Sequence, residues 1–240
     1  MKKSLLAIFM IVGLAGAFDT APSLKVGFVH SSLKATQSGY LINAVNGSAN
    51  GVELGFDANF YLGESSRWGW SVGLGTELLG VSWDKPGVIG AKEKSDGSAD
   101  VTYYTSDFLW KLTPNVGVFF DAWRSASNDM RVKVFANLGL SLDMLFGAAY
   151  DGADINYDTD VGKGADEINV NVAATLPLSV GARFHFAKKH GVEMVFKTHL
   201  NDMNFENEYI QYGITNKLKT KISQDFSVGI RYVFEWGQDW

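Results

Sequence analysis

The chain of 240 residues has no cysteine and only four prolines. Without cysteine there are no disulfides, no thiolate nucleophiles and no Cys-ligated zinc. Beyond the N-terminus no segment approaches the ~18 unbroken apolar residues that a membrane-spanning helix requires. An excess of basic charge is missing too: the formal net charge is -5 at pH 7, which argues against nucleic acid as a partner. Glycine and aromatic residues are abundant, at 26 glycines and 13% Phe, Trp and Tyr. Mean hydropathy is near neutral, at -0.01. That balance is unusual for a helical membrane protein and ordinary for a barrel with a lipid-facing exterior and a polar lumen.

The N-terminus has its own pattern. Met1-Lys2-Lys3, an apolar run from Leu5 to Leu14 and Ala15-Gly16-Ala17 read as a cleavable secretory signal, with cleavage after Ala17. The run is too short and wrongly flanked for a spanning helix, and no cysteine follows it to carry a lipid anchor. Two parts are therefore expected: a signal peptide at 1–17 and a single exported domain at 18–240.

From there on, apolar and polar residues alternate with a period of two, the mark of strands with unlike surroundings on their two faces. The first strand is expected from Leu24 to about Ser32, followed by a loop from Ser31 to Asn50 in which Asn46-Gly47 and Asn50-Gly51 act as turn signals. Val52, Leu54, Phe56, Ala58 and Phe60 form the apolar row of the second strand, and Trp68, Trp70, Val72, Leu74 and Leu78 that of the third. A fourth runs from Tyr104 through Pro114 to Phe120, with a bulge, kink or break at the proline. Val132 to Phe146, Ile168 to Phe186 and Val192 to Leu200 follow, and Lys219 to Phe234 is last. In this last strand Thr220, Ile222, Gln224, Phe226, Val228, Ile230, Tyr232 and Phe234 fall on one face, with Lys219, Lys221, Asp225 and Arg231 opposite.

Eight strands joined alternately by short turns and long loops imply an all-β, antiparallel, up-and-down transmembrane β-barrel; ten strands result if Pro114 ends one. A sheet that spans a bilayer must close, because hydrocarbon offers no partner to an open edge. Aromatics gather where two girdles are expected, with Phe60, Tyr61, Trp68, Trp70, Trp123, Phe184, Phe186, Tyr232, Phe234 and Trp236 near the turns and Trp83, Tyr103, Tyr104 and Tyr150 near the loops. A soluble sandwich has the same alternation with inside and outside exchanged. The mixture of both charge signs on the polar faces favours the membrane barrel. The expected lumen set is Glu53, Asp57, Glu77, Asp107, Lys111, Asp121, Arg131, Lys133, Asp143, Arg183, Glu193, Lys197, Asp225 and Arg231.

Ser227, Gly229, Tyr232 and Phe234 resemble the C-terminal assembly signal of bacterial outer-membrane barrels, although the chain runs on through Glu235 and Trp236 to Trp240. With the strand pattern, the chain resembles the small eight-stranded barrels of the OmpA and OmpX type. The resemblance implies residence in the outer membrane of a Gram-negative cell envelope and contact with its lipids and lipopolysaccharide. It also implies insertion by the barrel-assembly machinery, and surface loops that carry adhesion or binding of a host or surface ligand. No peptidoglycan-binding domain is expected after the last strand.

An eight-stranded barrel has room only for its own side chains or one small ligand. The lumen charges are thus expected to form a neutral plug, with a narrow ion or small-solute channel as the alternative. A lipid A-modifying enzyme would need a rim constellation, for which His30 with Ser31 and Ser32, and His199 with Asn201 and Asp202, are the nearest residues; His185 and His190 lie at the turn end. No motif joins them, and no catalytic residue or cofactor is assigned. Asp151, Asp154, Asn156, Asp158 and Asp160 resemble the start of an EF-hand loop, but Thr159 and Ala165 stand where its Gly and bidentate Glu belong, so no metal site is assigned.

Overall fold

The computed structural model describes residues 20–38, 45–63, 66–84, 87–93, 99–127, 129–150, 167–211 and 214–236. Among them the regular elements are all strands: β1 (Thr20–Ser38), β2 (Val45–Tyr61), β3 (Trp68–Trp83), β4 (Gly87–Glu93), β5 (Ala99–Arg124), β6 (Arg131–Gly139), β7 (Ser141–Tyr150), β8 (Glu167–Thr175), β9 (Pro177–Ala187), β10 (His190–His199), β11 (Met203–Gln211) and β12 (Ile214–Glu235). They form eight staves, because β6 continues into β7, β8 into β9 and β10 into β11, while β4 extends the third stave and pairs with β5. Every pairing is antiparallel. The sheet closes where β12 meets β1 and β3 meets β5.

Pro114 does not break the fourth stave. It lies within β5 opposite Leu74, faces outward, and its carbonyl accepts the amide of Leu140 at 3.0 Å. The missing proline N–H is matched by the one-residue gap between β6 and β7, so the count is eight. The first hairpin is longer than expected. Gly47 and Gly51, taken as turn residues, sit in the β1–β2 ladder opposite Leu33 and Val29. There they serve close approach: a Cβ at Gly51 would lie 1.9 Å from the Leu78 carbonyl oxygen.

The outer wall is apolar and the interior charged. Phe28, Leu54, Leu74, Val116, Leu138, Val180, Met194 and Ile230 are exposed, while Glu53, Lys111, Lys133, Asp143, Arg183 and Glu193 are buried. A soluble barrel requires the reverse, so this exterior is a lipid face. On β3 it runs from Trp68 to Leu78, which for a tilted strand spans about 25 Å, the height of an outer-membrane apolar band.

Above that band the pattern inverts. Leu33, Val45, Ala49, Val81, Met203, Phe205 and Ile222 turn inward, and Lys34, Asn46, Asn204, Lys219 and Lys221 turn outward. Water has replaced lipid outside, so the apolar side chains take the interior. In β12 the inversion is made by a bulge: Phe226 pairs with Ser32 and Gln224 with Leu33, leaving Asp225 as the extra residue. Thr220, Ile222 and Gln224 therefore face inward. Lys219, Lys221 and Asp225, expected in the lumen, face out, because strict alternation carried through the bulge shifts every residue before it to the wrong face.

Candidate functional site: a charged lumen beneath an apolar cluster

Closed staves bring residues far apart in sequence into one core. At the short-turn end, Arg131, Arg183 and Lys133 converge on Glu235. Arg183 Nη1 lies at 2.9 Å and Lys133 Nζ at 3.3 Å from Glu235 Oε2, and Arg131 binds Oε1. Tyr61 lies beside them. Its hydroxyl donates to Asp121 at 3.2 Å and accepts from Arg131 at 3.0 Å, and its ring meets Phe119 edge-on at 4.8 Å. Lys133 Nζ sits 4.4 Å from the Phe119 ring centre.

One layer higher, Glu193 takes Arg183 on one oxygen and Arg231 on the other, at 2.9 and 2.6 Å. Arg231 also makes a two-point fork on Glu53, at 2.9 and 2.6 Å, the geometry that favours arginine over lysine. Lys25 bridges Asp57 at 2.5 Å and reaches Glu193 at 4.0 Å. Above these, Lys197 joins Glu53 at 2.9 Å to Glu77 at 2.5 Å. Lys111 then contacts Gln224, His199 at 3.1 Å and Asp143 at 3.8 Å, while Asp143 accepts from Ser141 and Thr175.

Seven buried lysines and arginines thus face seven buried carboxylates among the described residues. The set is formally neutral, and each cation has a carboxylate within reach. This matters because removing an unpaired ion from water costs several kcal/mol. A cavity of about 40 Å³ remains between Gly75, Asn115, Asn137 and the charged side chains. It has room for a few waters.

Eleven of the charges expected in the lumen and assigned to its network lie there: Glu53, Asp57, Glu77, Lys111, Arg131, Lys133, Asp143, Arg183, Glu193, Lys197 and Arg231. Asp225 is exposed at its bulge. Asp107 is the extra residue of another bulge, between Ser106 and Phe108, and its side chain lies outside the described residues. Sequence reasoning missed Lys25, Gln224 and above all Glu235. Counting by two from Arg231 through Val233 reaches Glu235, so the signal is present, one residue beyond a strand that ends at Phe234. Tyr61 and Trp83, read as girdle residues, face inward instead: Tyr61 floors the lumen and Trp83 packs on the upper cluster. The side chains of Tyr103, Tyr104 and Tyr150 lie outside the described residues, as does the acidic segment 151–160.

The assembly-signal residues divide between the two faces. Ser227 is buried, its Oγ 2.8 Å from Ser31 and 2.7 Å from Gln224 Nε2. Gly229 faces the lumen, where a Cβ would lie 2.9 Å from Val195. Tyr232 is exposed and bonds His190, and Phe234 stacks on Trp236 with ring centres 5.7 Å apart. The rim histidines do not converge: His30 points outward to Asn50 Oδ1 at 2.6 Å, its neighbour Ser31 points inward, and His199 lies in the lumen on Lys111. His185 is buried against Arg131. No group of three or more metal-ligating side chains occurs among the described residues.

A closed eight-stave barrel with an apolar exterior and an ion-paired lumen is the architecture of the small outer-membrane β-barrels, and this chain has that fold. No protein-family model matches the sequence, and no curated protein matches it. Solved structures do. The outer-membrane protein OprG from Pseudomonas aeruginosa is similar over 92% of this chain and 98% of its own, with 12% identity and a TM-score of 0.51. The attachment invasion locus protein Ail of Yersinia pestis is similar over 90% and 99%, with 10% identity and a TM-score of 0.41. Neisserial surface protein A covers 88% and 97%, with 12% identity and a TM-score of 0.38. At such identities the likeness concerns the fold.

Proposed function

We propose that the protein is a structural and surface-interaction barrel, sealed against ions and polar solutes by its lumen charges, whose outer loops bind a host or surface ligand. The neutral seven-against-seven plug carries this reading. An ion entering the lumen has to displace an existing pair, and a buried cation deprived of its carboxylate is left uncompensated. Lipopolysaccharide and phospholipid are its surroundings, and the barrel-assembly machinery reads Ser227, Gly229, Tyr232 and Phe234 during insertion. A lipid A-modifying role finds less support, because His30 and Ser31 face opposite sides of the wall and His199 is engaged by Lys111.

Replacing residues 151–166 with a short Gly-Ser linker tests the loop assignment. Cells producing the parent protein are expected to adhere to host-cell or matrix surfaces better than cells without it. The variant is expected to keep the barrel's heat-dependent gel mobility and lose that adherence. Adherence that never rises with the protein, or survives replacement of every outer loop, overturns the reading.

A further inference from the structure

The short-turn rim of the barrel, which in outer-membrane barrels faces the periplasm, is lopsided in charge. The connection between β2 and β3 carries Glu64 with Arg67, and that between β5 and β6 carries Asp129, whereas β9 and β10 are joined by Lys188 and Lys189 alone. Ala187 pairs with His190, so the two lysines fill the central positions of a two-residue hairpin. Asn-Gly or a leading glycine is the ordinary choice there. A pair of lysines breaks that local rule, which points to a use for their charge. Both are exposed, and neither has an ion-pair partner among the described residues. On the adjoining strand end, the Glu235 carboxylate is buried and already shared by Arg131, Arg183 and Lys133. Its backbone N–H donates to the Lys189 carbonyl at 2.8 Å, which ties the turn to the last strand.

Beside this turn the outer wall is an aromatic platform. Phe186, the extra residue of a bulge next to the turn, stacks on His190 with ring centres 6.5 Å apart. His190 meets Phe234 at 5.4 Å, Phe234 stacks on Trp236 at 5.7 Å, and Trp236 reaches Phe56 at 6.1 Å. The platform thus runs from β9 through β10 and the end of β12 to β2. His190 Nδ1 is hydrogen-bonded to the Tyr232 hydroxyl. With the hydroxyl donating, the ring hydrogen sits on Nε2, a third donor next in the chain to the two ammonium groups. Further up the wall Phe184, Val192 and Ile230 are exposed and apolar. Aromatic rings collect at the depth of lipid headgroups, and lysine stems of this length carry their charge out to the phosphates.

We propose that this corner of the rim is a headgroup site for one anionic glycerophospholipid of the inner leaflet, such as phosphatidylglycerol, with Lys188 and Lys189 on its phosphate and its chains along the apolar wall. His190 Nε2 supplies a further donor to the headgroup, and the platform of Phe186, Phe234 and Trp236 seats the glycerol level. A zwitterionic lipid brings an ammonium of its own, which two lysines repel, so the corner selects net negative charge. Two lysines at a lipid surface favour an anionic headgroup by roughly tenfold to thirtyfold. A soluble phosphate lacks the chains that the wall holds. The site depends on neither the outer loops nor the lumen plug, so it stands or falls apart from the surface-binding reading.

Competitive lipid retention tests this. The folded barrel, immobilised in detergent, is equilibrated with mixed micelles holding equal amounts of phosphatidylglycerol and phosphatidylethanolamine with the same chains, and the retained lipid is extracted and quantified by mass spectrometry. Parent protein is expected to prefer the anionic lipid by roughly tenfold, and the preference to fall severalfold between about 50 mM and about 500 mM salt. The double variant Lys188→Gln, Lys189→Gln, its fold verified by gel mobility, is expected to lose the preference, and Lys188→Arg, Lys189→Arg to keep it. Lys34→Gln, Lys221→Gln, which removes exposed lysines at the opposite end of the barrel, is expected to keep it as well. Excess glycerol phosphate is expected to leave the retained lipid in place. A parent that retains both lipids alike overturns the proposal, as does a preference that salt does not weaken, a measurement that needs no variant. So does a glutamine pair at the turn that keeps the preference, or a glutamine pair at the opposite end that loses it. Displacement by glycerol phosphate overturns it too, since the corner would then take phosphate without the lipid.

Discussion

Removing the Glu235 carboxylate is the most informative single change in the barrel. Arg131, Arg183 and Lys133 share it inside the lumen, all four groups being nearly inaccessible to water. Glu235→Ala leaves seven buried cations facing six carboxylates. Arg183 retains Glu193 at 2.7 Å, but Lys133 has no other carboxylate partner among the ion pairs of the described residues. Breaking a buried pair by deleting one partner costs ~3–5 kcal/mol, so the unfolding equilibrium is expected to shift by roughly two to three and a half powers of ten. Reversible urea unfolding in lipid vesicles, followed by tryptophan fluorescence, measures this as a lower midpoint at unchanged slope. Adding Lys133→Met restores a neutral count and is expected to recover about half of the loss, a coupling that independent sites do not show. A loss below ~1 kcal/mol for the single change, or strict additivity in the double, refutes the claim that the lumen is held by charge balance.

Other consequences are equally open to measurement. A chain ending at Trp236 is expected to fold normally, whereas one ending at Phe234 is destabilised as strongly as Glu235→Ala in the same unfolding assay; among the described residues the last inward one is Glu235. Gly69→Ala places a Cβ 2.4 Å from the Phe60 carbonyl oxygen and 2.2 Å from the Phe119 ring, and is expected to cost ~1–3 kcal/mol in midpoint shift because backbone cannot yield. In intact cells, a membrane-impermeant maleimide is expected to label Lys221→Cys and spare Ile222→Cys. Deleting Asp225 is expected to exchange the two results, since the bulge sets which of them faces water. The lipid A mass spectrum is expected to be the same with and without the protein, and a shift abolished by His199→Ala would restore the enzyme reading.

Much of the fold is legible in the sequence because alternation at a period of two survives wherever lipid lies outside. Val132 to Phe146 shows this best: the outward row and the inward Arg131, Lys133 and Asp143 both follow from counting. Counting fails where the surroundings change. Above the bilayer the interior becomes the apolar side, and Ile222 reads as lipid-facing because its inward turn depends on one extra residue at Asp225. Gly47 and Gly51 read as turns because glycine marks both turns and crowded strand crossings, and only their partners tell the two apart. The charged set was visible as residue types on one face. The pairing of Arg231 with Glu53, 178 positions away, follows from barrel closure and leaves no local trace.

Single-channel recording in a planar lipid bilayer tests the central claim most directly. A lumen holding seven buried cations and seven buried carboxylates is expected to give no discrete conductance steps, and Glu235→Ala is expected to introduce them by leaving the plug unbalanced. Regular, ohmic steps from the parent protein would contradict the sealed, charge-neutral lumen.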